Sequence, residues 1–220
     1  IDTYKTNTDS VKTAVEIANN LSIPILYIST AGIFDGNKQT YDESDTPNPI
    51  GHYAKSKYLA EQHVINSAKR YLICRAGWMM GGGPNKDKKF IQKIMRQIKD
   101  GNQELCIVND KLGTPTYTHD FASNVKLLIK NDQLGLFNMV CDGLTDRLQV
   151  AIELVRLLNL SEEIKIKEVD SRYFASQYFA ERPKCERLLN KKLNRLNLNI
   201  MRDWKIALKE YIHNYYAQYL

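Results

Sequence analysis

The sequence has few of the features that mark secreted, membrane-spanning or metal-binding proteins. Its four cysteines form no Cys-x-x-Cys pair and no zinc-like spacing with the four histidines. Its longest apolar runs, such as Ile23–Ile28 and Leu134–Val140, fall well short of the ~20 residues that a membrane helix needs. No stretch resembles a basic-then-apolar leader. We therefore expect a cytoplasmic protein in a reducing compartment, with no metal site and no contact with a membrane.

Charge of one sign is not concentrated in any block either. The 31 Lys and Arg residues exceed the 25 Asp and Glu residues and give a formal net charge of +6, but they are dispersed along the chain. A nucleic-acid reader would have a basic helix or a sheet with interleaved aromatic residues, so we predict no nucleic-acid partner. Because 43% of the residues are hydrophobic, the chain can bury a core and is not intrinsically disordered.

Short apolar segments alternate with longer amphipathic ones along most of the chain. The predicted strands are Ile23–Ser29, Leu72–Arg75, Leu105–Val108, Leu136–Val140 and Ile164–Val169. The predicted helices cover 8–20, 52–69, 87–99, 119–130, 146–158 and about 202–217. This alternation is typical of right-handed crossover units on a largely parallel sheet, and so of the α/β class. The more polar composition after about residue 160 predicts a smaller lobe near the C-terminus.

The strongest chemical signal lies at the start of the predicted helix 52–69. Tyr53 and Lys57 are four residues apart, so the ammonium of Lys57 can sit beside the phenol of Tyr53 on one helix face. A nearby positive charge favours the phenolate and lowers the tyrosine pKa from ~10, which suits proton transfer near neutral pH. Thr30, at the C-terminal edge of a predicted parallel strand, could hydrogen-bond the same carbonyl oxygen. An ordinary surface pair of Tyr and Lys is the alternative.

A longer pattern surrounds this pair. Ser29-Thr30 is followed by x-x-x-Phe-Asp-Gly, and Tyr53 lies within Asp-x-Pro-x-Pro-x-x-x-Tyr-x-Lys-Ser-Lys-x-x-x-Glu. The matching segments continue with Cys74–Trp78, Val108–Tyr117, Arg182-Pro183 and the Trp204-x-x-Ala-Leu-x-x-Tyr helix. Together they resemble the extended short-chain dehydrogenase/reductases, and more narrowly the dTDP-4-dehydrorhamnose reductase group. The resemblance covers nearly the whole chain.

The resemblance implies a fold and an activity. The expected fold is a partial doubly wound, Rossmann-like parallel sheet with a smaller C-terminal substrate lobe. Residues 1–140 would form the C-terminal part of a dinucleotide-binding domain, interleaved with substrate-lobe segments, and residues 141–220 mainly the substrate lobe and the terminal helix. The expected activity is reduction of the C4 keto group of a nucleotide-activated 6-deoxyhexulose with NADPH or NADH, in a protein for which a homodimer is one expected assembly.

The resemblance also assigns roles to individual residues. Tyr53 would donate the proton, Lys57 would lower its pKa and hydrogen-bond the nicotinamide ribose, and Thr30 would orient the keto oxygen. The residues implied to contact the cofactor are Asn7, Ser29, Tyr53, Lys57, Arg75 and Ala76. The residues implied to contact the substrate are Thr30, Trp78 and Arg182. Trp78 is a candidate stacking surface for the hexose, with a core tryptophan as the alternative, and Arg182 could bind the diphosphate or be a plain turn residue.

Two departures from the family pattern bear on function. Ala31-Gly32 stand where the family usually has Asp-Tyr after Ser-Thr, which affects the choice of sugar. No Gly-x-x-Gly-x-x-Gly follows a predicted strand, so the sequence is expected to hold the catalytic and substrate half without most of the half that seats the cofactor. Two other functions stay open: a nucleotide-sugar epimerase or dehydratase of the extended family, and a non-catalytic regulatory subunit of another enzyme.

Overall fold

The computed structural model describes residues 2–176 and 180–220. The strands are β1 (Ile25–Thr30), β2 (Tyr71–Ala76), β3 (Met79–Met80), β4 (Glu104–Val108), β5 (Leu112–Gly113), β6 (Thr116–Tyr117), β7 (Gly135–Asn138), β8 (Thr145–Asp146), β9 (Lys165–Val169) and β10 (Cys185–Glu186). The α-helices are α1 (Asp2–Tyr4), α2 (Ser10–Asn20), α3 (His52–Ser67), α4 (Gly83–Lys86), α5 (Phe90–Lys99), α6 (Thr118–Lys130), α7 (Arg147–Leu157), α8 (Lys191–Arg195) and α9 (Trp204–Tyr216). A π-helix covers Lys5–Asp9, and 3-10 helices cover Ala31–Ile33 and Ser171–Phe174.

The main sheet is parallel and confirms the α/β expectation. Its strand order is β1-β2-β7, with Thr30 opposite Ala76 and Arg75 opposite Asn138. Helix α3 connects β1 to β2, so the two strands form a crossover unit and end at the same edge of the sheet. The apolar runs predicted as strands supply fully buried side chains, among them Ile73 and Phe137. This edge is where an open α/β sheet binds its ligands.

The other strands form three smaller sheets. Strands β4 and β9 are parallel partners of each other and do not join the main sheet, whereas the alternation of elements suggested one largely parallel sheet. Strand β3 pairs with β6, and β10, β5 and β8 form a three-stranded sheet. The pairs β4–β9 and β10–β5 each join a segment before residue 140 to one after it. The predicted division at residue 140 stays a prediction.

The predicted helix 87–99 begins three residues later than expected, at Phe90. The carboxylate of Asp87 accepts a hydrogen bond from the backbone N–H of Lys89 at 2.8 Å. Such a local turn competes with helical hydrogen bonding, because the side chain takes an N–H that would otherwise enter the helix ladder. The short helix α4 therefore stops at Lys86, and α5 starts after the turn.

Buried apolar side chains cover both faces of the main sheet. On one face, Val15 of α2 and Val64 of α3 pack with Tyr27 and Ile73. On the other face, side chains of the sheet are part of the largest hydrophobic core cluster, which also includes residues of the C-terminal helix α9. Aromatic side chains of this helix take part in the packing, since Tyr211 and Tyr216 are almost completely buried. Packing, rather than base stacking, is therefore the role of these two rings.

Candidate active site

The hydroxyl groups of Thr30 and Tyr53 meet at the C-terminal end of β1. Thr30 is the last residue of β1, and its Oγ1 accepts a hydrogen bond from the N–H of Gly32 at 3.2 Å, which caps the following 3-10 turn. Tyr53 is the second residue of α3, and its phenol is hydrogen-bonded by the Thr30 side chain. Tyr53 is 57% exposed. The two hydroxyls can therefore both reach one carbonyl oxygen of a ligand that approaches from solvent.

The pKa of Tyr53 lies above its ordinary value of ~10, not below it. Partial desolvation of the phenol is the largest cause, and the negative charge of Glu186 adds to it. The Thr30 hydrogen bond and the positive charge of Arg182 act in the opposite direction. The prediction that Lys57 lowers this pKa is therefore wrong for the chain by itself. Tyr53 is a neutral phenol at neutral pH, which is the form that donates a proton.

Lys57 is directed toward the backbone of β1. Its Nζ donates a hydrogen bond to the carbonyl oxygen of Ile28 at 2.8 Å and lies 4.3 Å from the centroid of the Tyr27 ring. Burial lowers the pKa of Lys57, and the nearby carboxylate of Glu61 raises it. An ammonium has three N–H donors, and among the described residues only Ile28 accepts one. Lys57 thus keeps donors for a ligand, and its contact with a ribose stays a prediction.

Asn7 is fastened to the helix that carries Tyr53. Its Nδ2 donates to Oγ of Ser56 at 3.0 Å, and Ser56 Oγ donates to the carbonyl oxygen of Tyr53 at 2.8 Å. The neighbouring Thr8 donates to the carbonyl of Ser56. Asn7 lies in the π-helix Lys5–Asp9, a type of turn that is common at functional sites. The structure thus places Asn7 against Ser56, the residue that precedes Lys57 on α3. The role of Asn7 toward a cofactor stays a prediction.

Arg75 does not present its guanidinium to a ligand. Its Nη2 and Nε donate to the Glu61 carboxylate at 2.6 and 3.1 Å, and only 4% of the Arg75 side chain is exposed. Ser29 and Ala76 are also buried, and the Ser29 hydroxyl has no hydrogen-bond partner among the described residues. A cofactor contact at Arg75 or Ala76 stays a prediction, and it would have to use the backbone.

The ring of Trp78 is fixed by three neighbours from distant parts of the chain. Its Nε1 donates to Oε2 of Glu186 at 2.9 Å. The guanidinium of Arg147 lies over the ring, 3.7 Å from its centroid. A Cβ atom at Gly113 would lie 2.2 Å from two ring carbons, so only glycine allows the ring this position. The face under Arg147 is therefore covered in this structure, and stacking of a hexose on Trp78 stays a prediction.

Sequence reasoning missed Arg147 and Glu186. They reach Trp78 because Gly113 of β5 is opposite Thr145 of β8 on one side and Glu186 of β10 on the other. Burial among aromatic rings lowers the pKa of Arg147 to about 10, while the charge of Glu186 raises it. No local motif marks either residue. Only the closeness of Glu186 to Arg182-Pro183 in the sequence could have drawn attention to it.

Arg182 is exposed, and it lies close enough to the site to act on it electrostatically. Its positive charge lowers the pKa of Tyr53 and also that of Arg147. The structure thus brings together Thr30, Tyr53, Trp78 and Arg182, and their roles toward a ligand stay predictions. Binding of a diphosphate by Arg182 stays a prediction.

Asp110 and Asp120 both bind partners within the protein. Asp110 accepts hydrogen bonds from the hydroxyl and N–H of Ser171, and Asp120 forms an ion pair with Arg202 at 2.6 Å. Within residues 2–176 and 180–220, no three His, Cys, Asp or Glu side chains are grouped as metal ligands. The same residues include no helix with the length and apolarity that a membrane crossing requires.

We expect Gly113→Ala to destabilise the protein. The added methyl group would overlap the Trp78 ring, and the ring cannot retreat without leaving Arg147 and Glu186. Overpacking of this kind typically costs about 1–3 kcal/mol. The free energy of unfolding in urea measures the effect. A value within about 0.5 kcal/mol of the wild type would contradict the packing of Trp78 on Gly113.

Comparison with known proteins decides the family. The model of the RmlD substrate binding domain matches residues 2–217. The chain belongs to the RmlD substrate binding domain family. A dTDP-4-dehydrorhamnose reductase of Sinorhizobium fredii is 28% identical to this member over an alignment of 204 residues that covers 88% of this chain and 67% of the relative. The fold class and the family predicted from the sequence are therefore confirmed.

Solved structures agree with the RmlD assignment. The crystal structure of a dTDP-4-dehydrorhamnose reductase from Clostridium acetobutylicum superimposes with a TM-score of 0.88 at 32% identity, covering 96% of this chain and 72% of that one. A reductase of the same name from Bacillus anthracis, in complex with NADP, gives a TM-score of 0.87 at 25% identity, with coverage of 94% and 72%. This RmlD-family chain thus spans about two thirds to three quarters of the length of these relatives.

Proposed function

We propose that this chain carries the catalytic and sugar-binding part of a reductase for the C4 keto group of a nucleotide-activated 6-deoxyhexulose, of the dTDP-4-dehydrorhamnose kind. The observation that carries the proposal is the meeting of the Thr30 and Tyr53 hydroxyls at the end of β1. Both can donate a hydrogen bond to a ketone oxygen placed between them. The relatives named dTDP-4-dehydrorhamnose reductase support this substrate class.

Tyr53 is the proton donor of the proposed reaction. Because its pKa is raised, the phenol stays protonated at neutral pH and can give its proton to the substrate oxygen as the carbonyl becomes an alcohol. Thr30 orients that oxygen, and its own hydroxyl is held in place by the N–H of Gly32. Two donors fixed in advance at the position of the developing charge stabilise the transition state without reorganising during the reaction.

The residues present fit the nicotinamide end of a dinucleotide cofactor, NADP or NAD. Lys57 follows Tyr53 by one helical turn and has N–H donors left for a ligand, and the unpartnered Ser29 hydroxyl lies one residue before Thr30. Lys57 and Tyr53 would hold the nicotinamide ribose, with Asn7 supporting their helix through Ser56. A bound nicotinamide cofactor would supply the reducing equivalent. The NADP complex of the Bacillus anthracis relative supports this cofactor.

Positive charge near the site favours a nucleotide diphosphate. Arg182 is exposed beside Tyr53, and Arg147 lies behind Trp78. Arginine binds phosphate oxygens through paired N–H donors, so an exposed Arg182 suits the diphosphate of a nucleotide sugar. The four cysteines are free thiols, which fits a reducing compartment such as the cytoplasm. A homodimer stays a prediction.

The proposed function is tested with the full natural polypeptide that contains this sequence. We expect NADPH or NADH to be oxidised in a one-to-one ratio with dTDP-4-dehydrorhamnose, and the product to be dTDP-rhamnose. An epimerase would leave the total amount of reduced cofactor unchanged. A regulatory subunit would bind a partner enzyme without oxidising the cofactor. Either of these results would overturn the proposal.

Replacing Lys57 by Met should weaken cofactor binding. The variant loses a charged donor beside Tyr53, and a hydrogen bond from a charged group is worth about 1.5–3 kcal/mol. We therefore expect the KM for NADPH to rise roughly tenfold or more. Lys55→Met is the matched control, because Lys55 lies on the same helix and is exposed. Equal KM values in the two variants would remove Lys57 from the cofactor site.

A further inference from the structure

One carboxylate oxygen of Glu186 accepts a hydrogen bond within the protein, and the other oxygen does not. Oε2 accepts the hydrogen bond from Nε1 of Trp78 at 2.9 Å. No hydrogen-bond donor of the described residues reaches Oε1. The Trp78 bond fixes the direction of the carboxylate, since the ring itself is held by Gly113 and Arg147. The second oxygen is thus an acceptor whose position is set before any ligand binds.

The free oxygen is directed toward the reacting hydroxyls. A Cβ atom built on Gly32 would lie 3.2 Å from Oε1 of Glu186 and 3.5 Å from Oγ1 of Thr30, so both oxygens border the same small space. A larger residue at position 32 would separate them. The charge of Glu186 also reaches the phenol of Tyr53. Glu186 is therefore part of the surface that a ligand bound at Thr30 and Tyr53 would touch.

The backbone holds this arrangement in place. The segment after β10 pairs with the loop that follows β1: the N–H of Tyr41 donates to the carbonyl of Arg187, and the N–H of Leu189 donates to the carbonyl of Tyr41, both at 2.8 Å. Strand β10 itself pairs with β5, which places Glu186 opposite Gly113. Glu186 is thus clamped between the loop next to Thr30 and the sheet next to Trp78.

The charges around Glu186 decide which part of a nucleotide sugar it can accept. An ionised carboxylate only accepts hydrogen bonds, and it repels phosphate. The substrate's diphosphate suits Arg182, and the ketone oxygen suits Thr30 and Tyr53, both of which are donors. A ring hydroxyl of the hexose is the group that can donate to Oε1.

We propose that Glu186 is a specificity-determining residue that accepts a hydrogen bond from a ring hydroxyl of the hexose through Oε1, while Trp78 holds its Oε2. This inference rests on the proposed function for the substrate class. Glu186 and Gly32 would then together determine which sugar is recognised beside the reacting carbon. The absence of a side chain at residue 32 is what lets the carboxylate approach.

A binding measurement tests this proposal separately from turnover. Calorimetry with dTDP-rhamnose and with dTDP alone is carried out on the full natural polypeptide and on its Glu186→Ala variant. We expect the variant to lose about tenfold or more in affinity for dTDP-rhamnose, as for one hydrogen bond to a charged group, and less than twofold for dTDP. Glu162→Ala, which removes the same charge from an exposed turn, should bind both ligands like the wild type.

Deoxy analogues identify the contact itself. One of the 2-deoxy and 3-deoxy analogues of dTDP-rhamnose should bind the wild type about tenfold more weakly, and the Glu186→Ala variant should not distinguish it from dTDP-rhamnose. This pairwise test is insensitive to any shift of Trp78 in the variant, because both ligands meet the same altered site.

Three outcomes would overturn the role of Glu186. They are equal losses for dTDP and dTDP-rhamnose, equal discrimination of the analogues by variant and wild type, and a wild type that binds dTDP-rhamnose no better than dTDP. A wild type that binds dTDP-rhamnose but does not reduce its 4-keto form would instead overturn the proposed function. In that case, the affinities of the Glu186→Ala variant would still decide the role of this residue.

Discussion

Tyr53→Phe should lower the turnover number of the reductase at least ~10²-fold, which is the usual size of a lost general-acid contribution. The phenol interacts with the Thr30 side chain, and phenylalanine keeps the ring while it removes only the oxygen. Because Tyr53 is 57% exposed, loss of its hydroxyl should leave the fold intact. Steady-state oxidation of NADPH by dTDP-4-dehydrorhamnose is the measurement.

The matched control is Tyr58→Phe, five residues further along the same helix. Tyr58 is only partly buried and packs beside the cluster that contains Phe34 and Tyr41. We expect its turnover number to stay within about twofold of the wild type, since it lies outside the Thr30–Tyr53 pair. A Tyr53→Phe enzyme with ordinary turnover would end the assignment of Tyr53 as the acid.

The pH dependence of the reduction follows from the same group. Burial of its phenol raises the pKa of Tyr53 above its ordinary value, so the protonated form persists through neutral and mildly alkaline pH. Reduction consumes this proton, and activity should therefore fall only as the pH rises through that raised pKa. Removing the charge of Glu186 lowers the pKa of Tyr53, so the alkaline limb of the profile should move to lower pH in a Glu186→Gln variant. The other charged group acting on Tyr53, Arg182, is unchanged in that variant.

Glu61→Gln should destabilise the protein by about 3–5 kcal/mol, the cost typical of removing one partner from a buried ion pair. The Glu61 side chain is fully buried and takes two hydrogen bonds from Arg75, whose Nη1 has no partner among the described residues. Glutamine would leave the buried guanidinium without its counter-charge. The free energy of unfolding in urea measures the effect.

Two further variants test the origin of this loss. Glu104→Gln removes an exposed ion pair with Lys165 and should cost less than about 1 kcal/mol. Replacing both Glu61 and Arg75 by Met should recover much of the stability lost in Glu61→Gln, because no unpaired charge then remains in the core. A Glu61→Gln protein as stable as Glu104→Gln would mean that the pair is not buried as described.

We also expect Glu61→Gln to affect the candidate active site. Glu61 follows Lys57 by one helical turn, and its charge raises the pKa of that lysine against the effect of burial. Without it, the Lys57 ammonium would lose its proton at lower pH. The Glu61 carboxylate of the buried pair therefore also favours the charged form of Lys57.

The sequence by itself determined the elements that carry the chemistry. The apolar run of β1 and the helical spacing of α3 predicted that Thr30 and Tyr53 would be near each other, because strands joined by a crossover helix end at one edge of the sheet. These are local patterns read over fewer than thirty residues. The same patterns also placed Lys57 one turn from Tyr53. The family resemblance needed further segments along the chain, from Cys74–Trp78 to the helix that begins at Trp204.

The tertiary structure alone decided what surrounds those residues. Lys57 donates a hydrogen bond to the carbonyl of Ile28, because the packing of α3 against β1 brings that backbone group to the ammonium. Trp78 meets Glu186 across 108 residues of sequence through the pairing of β5 with β10. Contacts between such distant segments depend on how sheets pair and pack, and no periodicity along the chain encodes them. The positions of the Thr30 and Tyr53 hydroxyls are thus set by local sequence, and the position of the Glu186 carboxylate by the pairing of β5 with β10.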